Sequence, residues 1–116
     1  MGRPIKPRTV CGEAVRTFVP AESGPGTVIR LSVEEYETIR LIDHERLSQA
    51  ECADMMDVAR TTVQAMYESA RAKIADALIN RKTIIVKGGH YTLCNHGTDV
   101  KHCLKNKQKE SRPNKA

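Results

Sequence analysis

The sequence predicts a mainly α fold of three helices, two of them forming a helix-turn-helix, with a short strand in front and a β-hairpin behind. Three observations predict it. Leu47–Asn80 reads as a short capped helix, a three-residue turn and a longer helix. Ser32 opens another capped helix directly ahead of it. TIIVK-GG-HYTLC, residues 83–94, places two strand-like runs around a glycine pair.

The elements follow in order. Residues 1–31 form a basic N-terminal arm and a short strand. In MGRPIKPRT, Pro4 and Pro7 block helix and leave Arg3, Lys6 and Arg8 on an extended segment, able to follow a phosphate backbone or enter a minor groove. Apolar stretches lie around Val15–Val19 and Val28–Leu31, with Pro20, Gly24, Pro25 and Gly26 marking a loop between them. Val28–Leu31 reads as a strand, because β-branched residues lead it and a helix cap follows.

Residues 32–94 form the folded domain. Ser32 and Glu35 have capping-box spacing, and Glu34 and Glu35 suit the positive end of the helix dipole. Tyr36, Ile39, Leu41 and Ile42 supply an apolar face, and the helix should reach about Glu45. Ser48 and Glu51 repeat the capping box, and Ala53 is small enough for a second helix to approach closely. The turn is Asp57-Val58-Ala59, with Asp57 where a left-handed residue is needed. Val63, Met66, Ala70, Ile74, Ala77 and Leu78 then recur at helical spacing up to a stop near Asn80, which tolerates a left-handed end. Gly88-Gly89 supplies the positive φ of a two-residue hairpin turn, and Val28–Leu31 is placed to add a third strand. Residues 95–116, lysine-rich and poor in apolar groups, read as a basic disordered tail.

Charge is distributed unevenly along the chain. The net charge is +5, yet residues 32–59 carry eight acids against two Lys/Arg, while residues 60–82 carry five Lys/Arg against two acids. Positive charge on the longer helix and both tails is the footprint of a nucleic-acid partner. No apolar run is long enough to span a bilayer, and no apolar signal segment follows the basic N-terminus, so a cytoplasmic, nucleoid-associated protein is expected. No nucleophile has a neighbouring base and no glycine loop cradles phosphate, so enzymatic activity is not expected.

Taken together, MGRPIKPRTVC, LSVEEYETIRL, the helix pair with ESARAKIADAL and the ending GGHYTLC resemble one family. It is the bacterial and archaeal family of small proteins grouped as domain of unknown function one hundred and thirty-four, and the resemblance covers roughly residues 1–94. That family is in turn similar to the promoter-reading fourth region of sigma factors. The matching residues here run from Ala50-Glu51-Cys52-Ala53 through Met56-Asp57-Val58 to Val63, Ala70, Arg71 and Lys73. The resemblance implies a sigma region four-like (winged-helix) fold and a role in DNA binding and transcription regulation. The chain departs from the pattern at Asp57, where Gly is common, and at Ala59, where Ser is common. Ala59 cannot cap the longer helix, and Thr61 or Thr62 would take over with a start one or two residues later.

For double-stranded DNA, Arg60, Thr61, Gln64 and Ala65 are expected in the major groove with Glu68 further along. Thr62, Arg71 and Lys73 are placed for phosphates or for pairing with acids of the second helix. One such helix reads few base pairs, so a homodimer or a partner such as RNA polymerase is expected. Two alternatives come from the same residues. The acids of residues 34–54 offer a face for a protein-interaction module. Cys94, His96, His102 and Cys103, with Cys11 as a further partner, offer thiols and imidazoles for zinc, whereas Cys52 reads as a small core residue.

Overall fold

The computed structural model describes residues 7–11, 15–22 and 26–93. They form an α/β globule of three helices and two small sheets. The strands are β1 (Arg8–Val10), β2 (Arg16–Phe18), β3 (Val28–Leu31), β4 (Thr83–Val86) and β5 (Tyr91–Leu93). The helices are α1 (Val33–Thr38), which continues into a π-helical segment (Ile39–His44), α2 (Gln49–Met56) and α3 (Arg60–Asn80).

Helix starts follow the capping chemistry. The Ser32 hydroxyl accepts from the Glu35 amide at 3.1 Å while Glu35 accepts from the Ser32 amide at 2.9 Å. Ser48 and Glu51 do the same for α2, at 3.0 and 2.9 Å. The first helix ends in a widened turn, in which the Glu45 amide donates to the Arg40 carbonyl at 2.9 Å. Asp57 ends α2 in the left-handed conformation, φ 58° and ψ 48°, and α3 begins at Arg60. Ala59 therefore stands at the cap with no side-chain bond, and the later start that Thr61 or Thr62 would have given is not adopted. The Thr62 and Val63 amides still reach the Ala59 carbonyl, so the first turn closes without a side-chain cap. At the far end α3 stops at Asn80 as expected, but the left-handed residue is Arg81, φ 55° and ψ 52°.

The hairpin is corrected, and with it the mainly α description. β4 and β5 do not pair with each other. β4 is the centre of a three-stranded sheet, antiparallel to β2 and parallel to β3, with Thr17 opposite Ile85 and Ile29 opposite Ile84. β5 pairs in parallel with β1, setting Thr9 opposite Thr92. Gly88 and Gly89 do have positive φ, 80° and 117°. Their backbone is nevertheless bonded outward to the start of α1. The Lys87 amide donates to the Leu31 carbonyl and the Val33 amide donates to the Gly88 carbonyl, while the His90 amide donates to Glu34 Oε2 at 3.0 Å. A chain pinned in this way cannot fold back on β4. Arg8, expected on a loose arm, is fixed in β1, with its amide donating to the His90 carbonyl. Arg3 and Lys6 lie outside the described residues, as does the tail at 95–116.

The core lies where the three helices meet the sheets. Val10, Leu31, Val33, Leu41, Cys52, Met56, Val63, Ala70 and Val86 are buried, with Tyr36, Ile39, Met66 and Ile74 packed against them. α3 contacts α1, α2 and β3, which makes it the element that joins the two halves. Leu78 departs from expectation. It continues the sequence periodicity, yet it is exposed. Among the described residues no helix is long and apolar enough to cross a membrane.

Candidate nucleic-acid interface

The left-handed Asp57 turns the chain sharply, and the Val58 amide closes the turn on the Ala53 carbonyl at 3.1 Å. This geometry brings α3 back across α2. Val63, Ala70 and Ala77 bury one face of α3. The opposite face is left to solvent. Arg60, Thr61, Gln64, Ala65, Glu68 and Arg71 are all exposed and follow one another at one- and three-residue steps, so they share one continuous stripe. Thr62 is half-buried at the stripe's border.

Within the stripe, the Gln64 amide nitrogen lies 3.5 Å from Glu68 Oε2, a long contact that a ligand can displace. The Arg71 guanidinium lies over the Tyr67 ring, 5.3 Å from its centroid. Tyr67 is itself anchored, since its hydroxyl donates to Asp43 Oδ1 at 2.7 Å. That bond is also what raises the Tyr67 phenol above its ordinary pKa. Arg71 is thus held upright on the stripe by a ring tied to the π-helical segment that continues α1.

Lys73 has a different place. Its ammonium donates to both Glu35 oxygens, at 2.8 and 3.1 Å, and to the Arg30 carbonyl at 3.1 Å. The sequence places it for phosphates or for acids of the second helix; its partner in the structure is an acid of α1. The Ser69 hydroxyl joins the same carboxylate at 2.6 Å. Burial pushes the Glu35 carboxyl up, but the bonds from Lys73, Ser69 and the Ser32 amide outweigh it and hold its pKa below the ordinary value. Glu35 therefore locks α3 to α1 immediately behind the exposed stripe. Neither Tyr67 nor Glu35 was singled out from sequence for this work, because partners 24 to 38 residues apart leave no local spacing signal.

The acids of residues 34–54 divide in two. Glu34, Glu35 and Glu37 are 6, 8 and 3 % exposed, whereas Asp43 and Asp54 are exposed and Glu45 and Glu51 half-buried. Glu37 accepts two bonds from the Arg40 guanidinium, at 2.9 and 2.8 Å, and one from the Cys11 amide at 3.1 Å. Burial pulls the Arg40 pKa down, and the paired Glu37 outweighs it and holds it above its usual range. Cys52 is a core residue as expected. Its thiol donates to Met56 Sδ at 3.8 Å, and burial, with Glu37 nearby, pushes its pKa up to about 12. Such a thiol is unreactive at neutral pH. Cys94, His96, His102 and Cys103 lie outside the described residues. Among the described residues no three His, Cys, Asp or Glu side chains are grouped to hold a metal ion.

Comparison with known proteins shows the family. The model of a family described as a protein of unknown function, DUF134, matches residues 1–94. The chain belongs to the DUF134 family. A UPF0251 protein of Desulfitobacterium hafniense strain Y51 is 49 % identical over 98 residues, covering 81 % of this chain and 78 % of the relative. One from Caldanaerobacter subterraneus subsp. tengcongensis is 46 % identical over 104 residues, 87 % of this chain and 86 % of its own. Another from Methanothermobacter thermautotrophicus is 39 % identical over 92 residues, 78 % of this chain and 49 % of its own length. No solved structure matches the chain. The DUF134 match takes in every described residue, from β1 to β5.

Proposed function

We propose that this protein binds double-stranded DNA and regulates transcription, with α2, the Asp57 turn and α3 acting as a helix-turn-helix of the sigma region four kind. In this reading α3 lies in the major groove with Arg60, Thr61, Gln64 and Ala65 against base edges and Glu68 beyond them. The observation that carries the reading is the polar stripe on α3, exposed along its N-terminal half while its other face is clamped to α1 and α2. A rigid helix with a bare face of Arg, Thr and Gln meets the demands of groove recognition.

Charge supports it. The five Lys/Arg against two acids in residues 60–82 favour a polyanion, and the three innermost acids of α1 are buried away from it. The side chains divide by role. Arg60 and Gln64 are the bidentate readers, for guanine and adenine; Thr61 and Ala65 offer methyl contacts to thymine. Arg71, held by the Tyr67 ring, serves the phosphate backbone, and Thr62 at the border does the same. Lys73 supports the stripe from behind through Glu35.

The test is selection of bound fragments from genomic DNA, comparing the wild-type chain with an Arg60→Ala, Gln64→Ala, Arg71→Ala triple variant. Enrichment of a shared sequence by the wild type and its loss in the variant are expected. Equal affinity of the two proteins for the same fragments would overturn the reading.

A further inference from the structure

The stripe on α3 changes character along its length. Its first turns carry polar groups, but at its end Leu78 and Ile79 are 71 and 79 % exposed. Phe18 and Val19, on and just after β2, are 50 and 68 % exposed. Leu78, Phe18, Val19, Pro20 and Ile84 line one shallow groove between the end of α3 and the sheet. Large side chains left bare together mark a surface that is covered when the protein functions.

We infer that this groove is the interface through which two copies of the chain associate about a twofold axis. Three observations select a second copy as the occupant. The segments of the chain outside the described structure are a poor match for an apolar groove. Residues 1–6, 12–14 and 23–25 are short, and residues 94–116 hold six Lys/Arg with Val100 and Leu104 as their only large aliphatic residues. The rim carries both signs of charge. Arg81 lines the groove and Glu22 lies just beyond Pro20, and within one chain they meet only loosely, at 3.9 Å with both side chains mostly exposed. A twofold contact places each Arg81 against the partner copy's Glu22, so the surface is self-complementary in charge as well as apolar. The third observation is the edge of the sheet. Among the described residues β2 pairs with β4 alone, and all three of its residues are exposed beside the groove.

The position of the groove has a consequence that rests on the DNA reading. Leu78 follows the middle of the polar stripe by thirteen residues, about 20 Å at the helical rise. Two chains joined at this end can set their reading segments up to about 40 Å apart, and a modest angle between the helices brings them to the roughly 34 Å of one DNA turn. The preferred site is then a palindrome with half-sites one turn apart.

Sedimentation equilibrium of the full chain tests the interface without DNA. The wild type should weigh twice the 12.9 kDa chain mass at micromolar concentration. Leu78→Glu should shift the protein to monomer by at least tenfold in dissociation constant, with an unchanged thermal midpoint for the monomer. Arg81→Glu and Glu22→Arg should each weaken self-association, and mixing the two single variants should restore a heterodimer, an outcome only an intermolecular contact produces. A wild type that stays at single-chain mass overturns the inference, as does a mixture of the two charge variants that stays monomeric. A midpoint of Leu78→Glu below that of the wild type, with both proteins diluted to monomer so that association does not contribute, also overturns it, since that would show the groove covered from within one chain. Failure of the DNA reading is separate: the mass doubles, but no genomic fragment is enriched.

Discussion

Lys73 and Glu35, 38 residues apart, meet as an ion pair at 2.8 Å that ties the middle of α3 to the first turn of α1. The same carboxylate completes the capping box of α1 and accepts from Ser69. One side chain thus starts a helix and fixes the angle at which another is presented.

The pair has a pH signature. Because the Glu35 carboxyl is held below its ordinary value near 4.5, its stabilisation is complete above that pH and is lost as pH falls through and below it. Glu35→Gln keeps the reach back to the Ser32 amide but removes the charge. Wild-type stability in urea should therefore drop more steeply than that of Glu35→Gln between about pH 5 and pH 3. Lys73→Ala should cost about 1 kcal/mol at pH 7, a discounted figure because the Lys73 side chain is 37 % exposed. Parallel pH profiles for wild type and Glu35→Gln would count against the assignment.

Gly89 presents a different constraint. Its φ is 117°, and a β-carbon there would run into the Glu34 carboxylate, whereas one at Gly88 meets open space. Gly89→Ala should cost about 2–4 kcal/mol, combining backbone strain with displacement of the carboxylate that accepts from His90. Gly88→Ala should cost about 1–2 kcal/mol from conformation alone. Equal losses in thermal denaturation would show that Glu34 yields freely.

Ala59 stands where a side-chain cap would satisfy the first amides of α3, and it makes no such bond. Ala59→Ser should stabilise the protein by about 1 kcal/mol, read as a raised midpoint in urea. Ala59→Asp should add a similar increment through the helix dipole yet weaken DNA binding, since it puts a carboxylate beside Arg60 at the N-terminal end of the stripe. Matching affinities of Ala59→Ser and Ala59→Asp would remove that end of α3 from the interface.

Readout and positioning separate by salt. Gln64→Ala should relax preference at one base pair by about 1–3 kcal/mol and leave the salt dependence of binding unchanged. Arg71→Ala should weaken binding to all sequences and reduce the salt slope by about one unit. Tyr67→Leu should reproduce part of the Arg71 effect, because it removes the ring beneath the guanidinium. Binding titrations over a range of salt concentrations distinguish the two classes.

The sequence by itself determined the helices, their caps and the polar stripe. Ser32 with Glu35, Ser48 with Glu51, the left-handed Asp57 and the stop at Asn80 are local features, set by hydrogen bonds and dihedral preferences within a few residues of chain. Only the tertiary structure decided the sheets and what stands behind the stripe. Gly88-Gly89 has the positive φ of a hairpin, but bonds to Leu31, Val33 and Glu34 send β4 and β5 to different partners. Glu34 and Glu35 read as surface acids beside a helix dipole and proved to be buried acceptors for groups over thirty residues away. Leu78 follows Ile74 by four residues but also follows the exposed Arg71 by two turns, so it is bare on the solvent side while its neighbour Ala77 is buried. Periodicity says which residues share a face. Whether a residue at the border of that face meets a neighbour is fixed by how the elements pack, and that is a property of the whole.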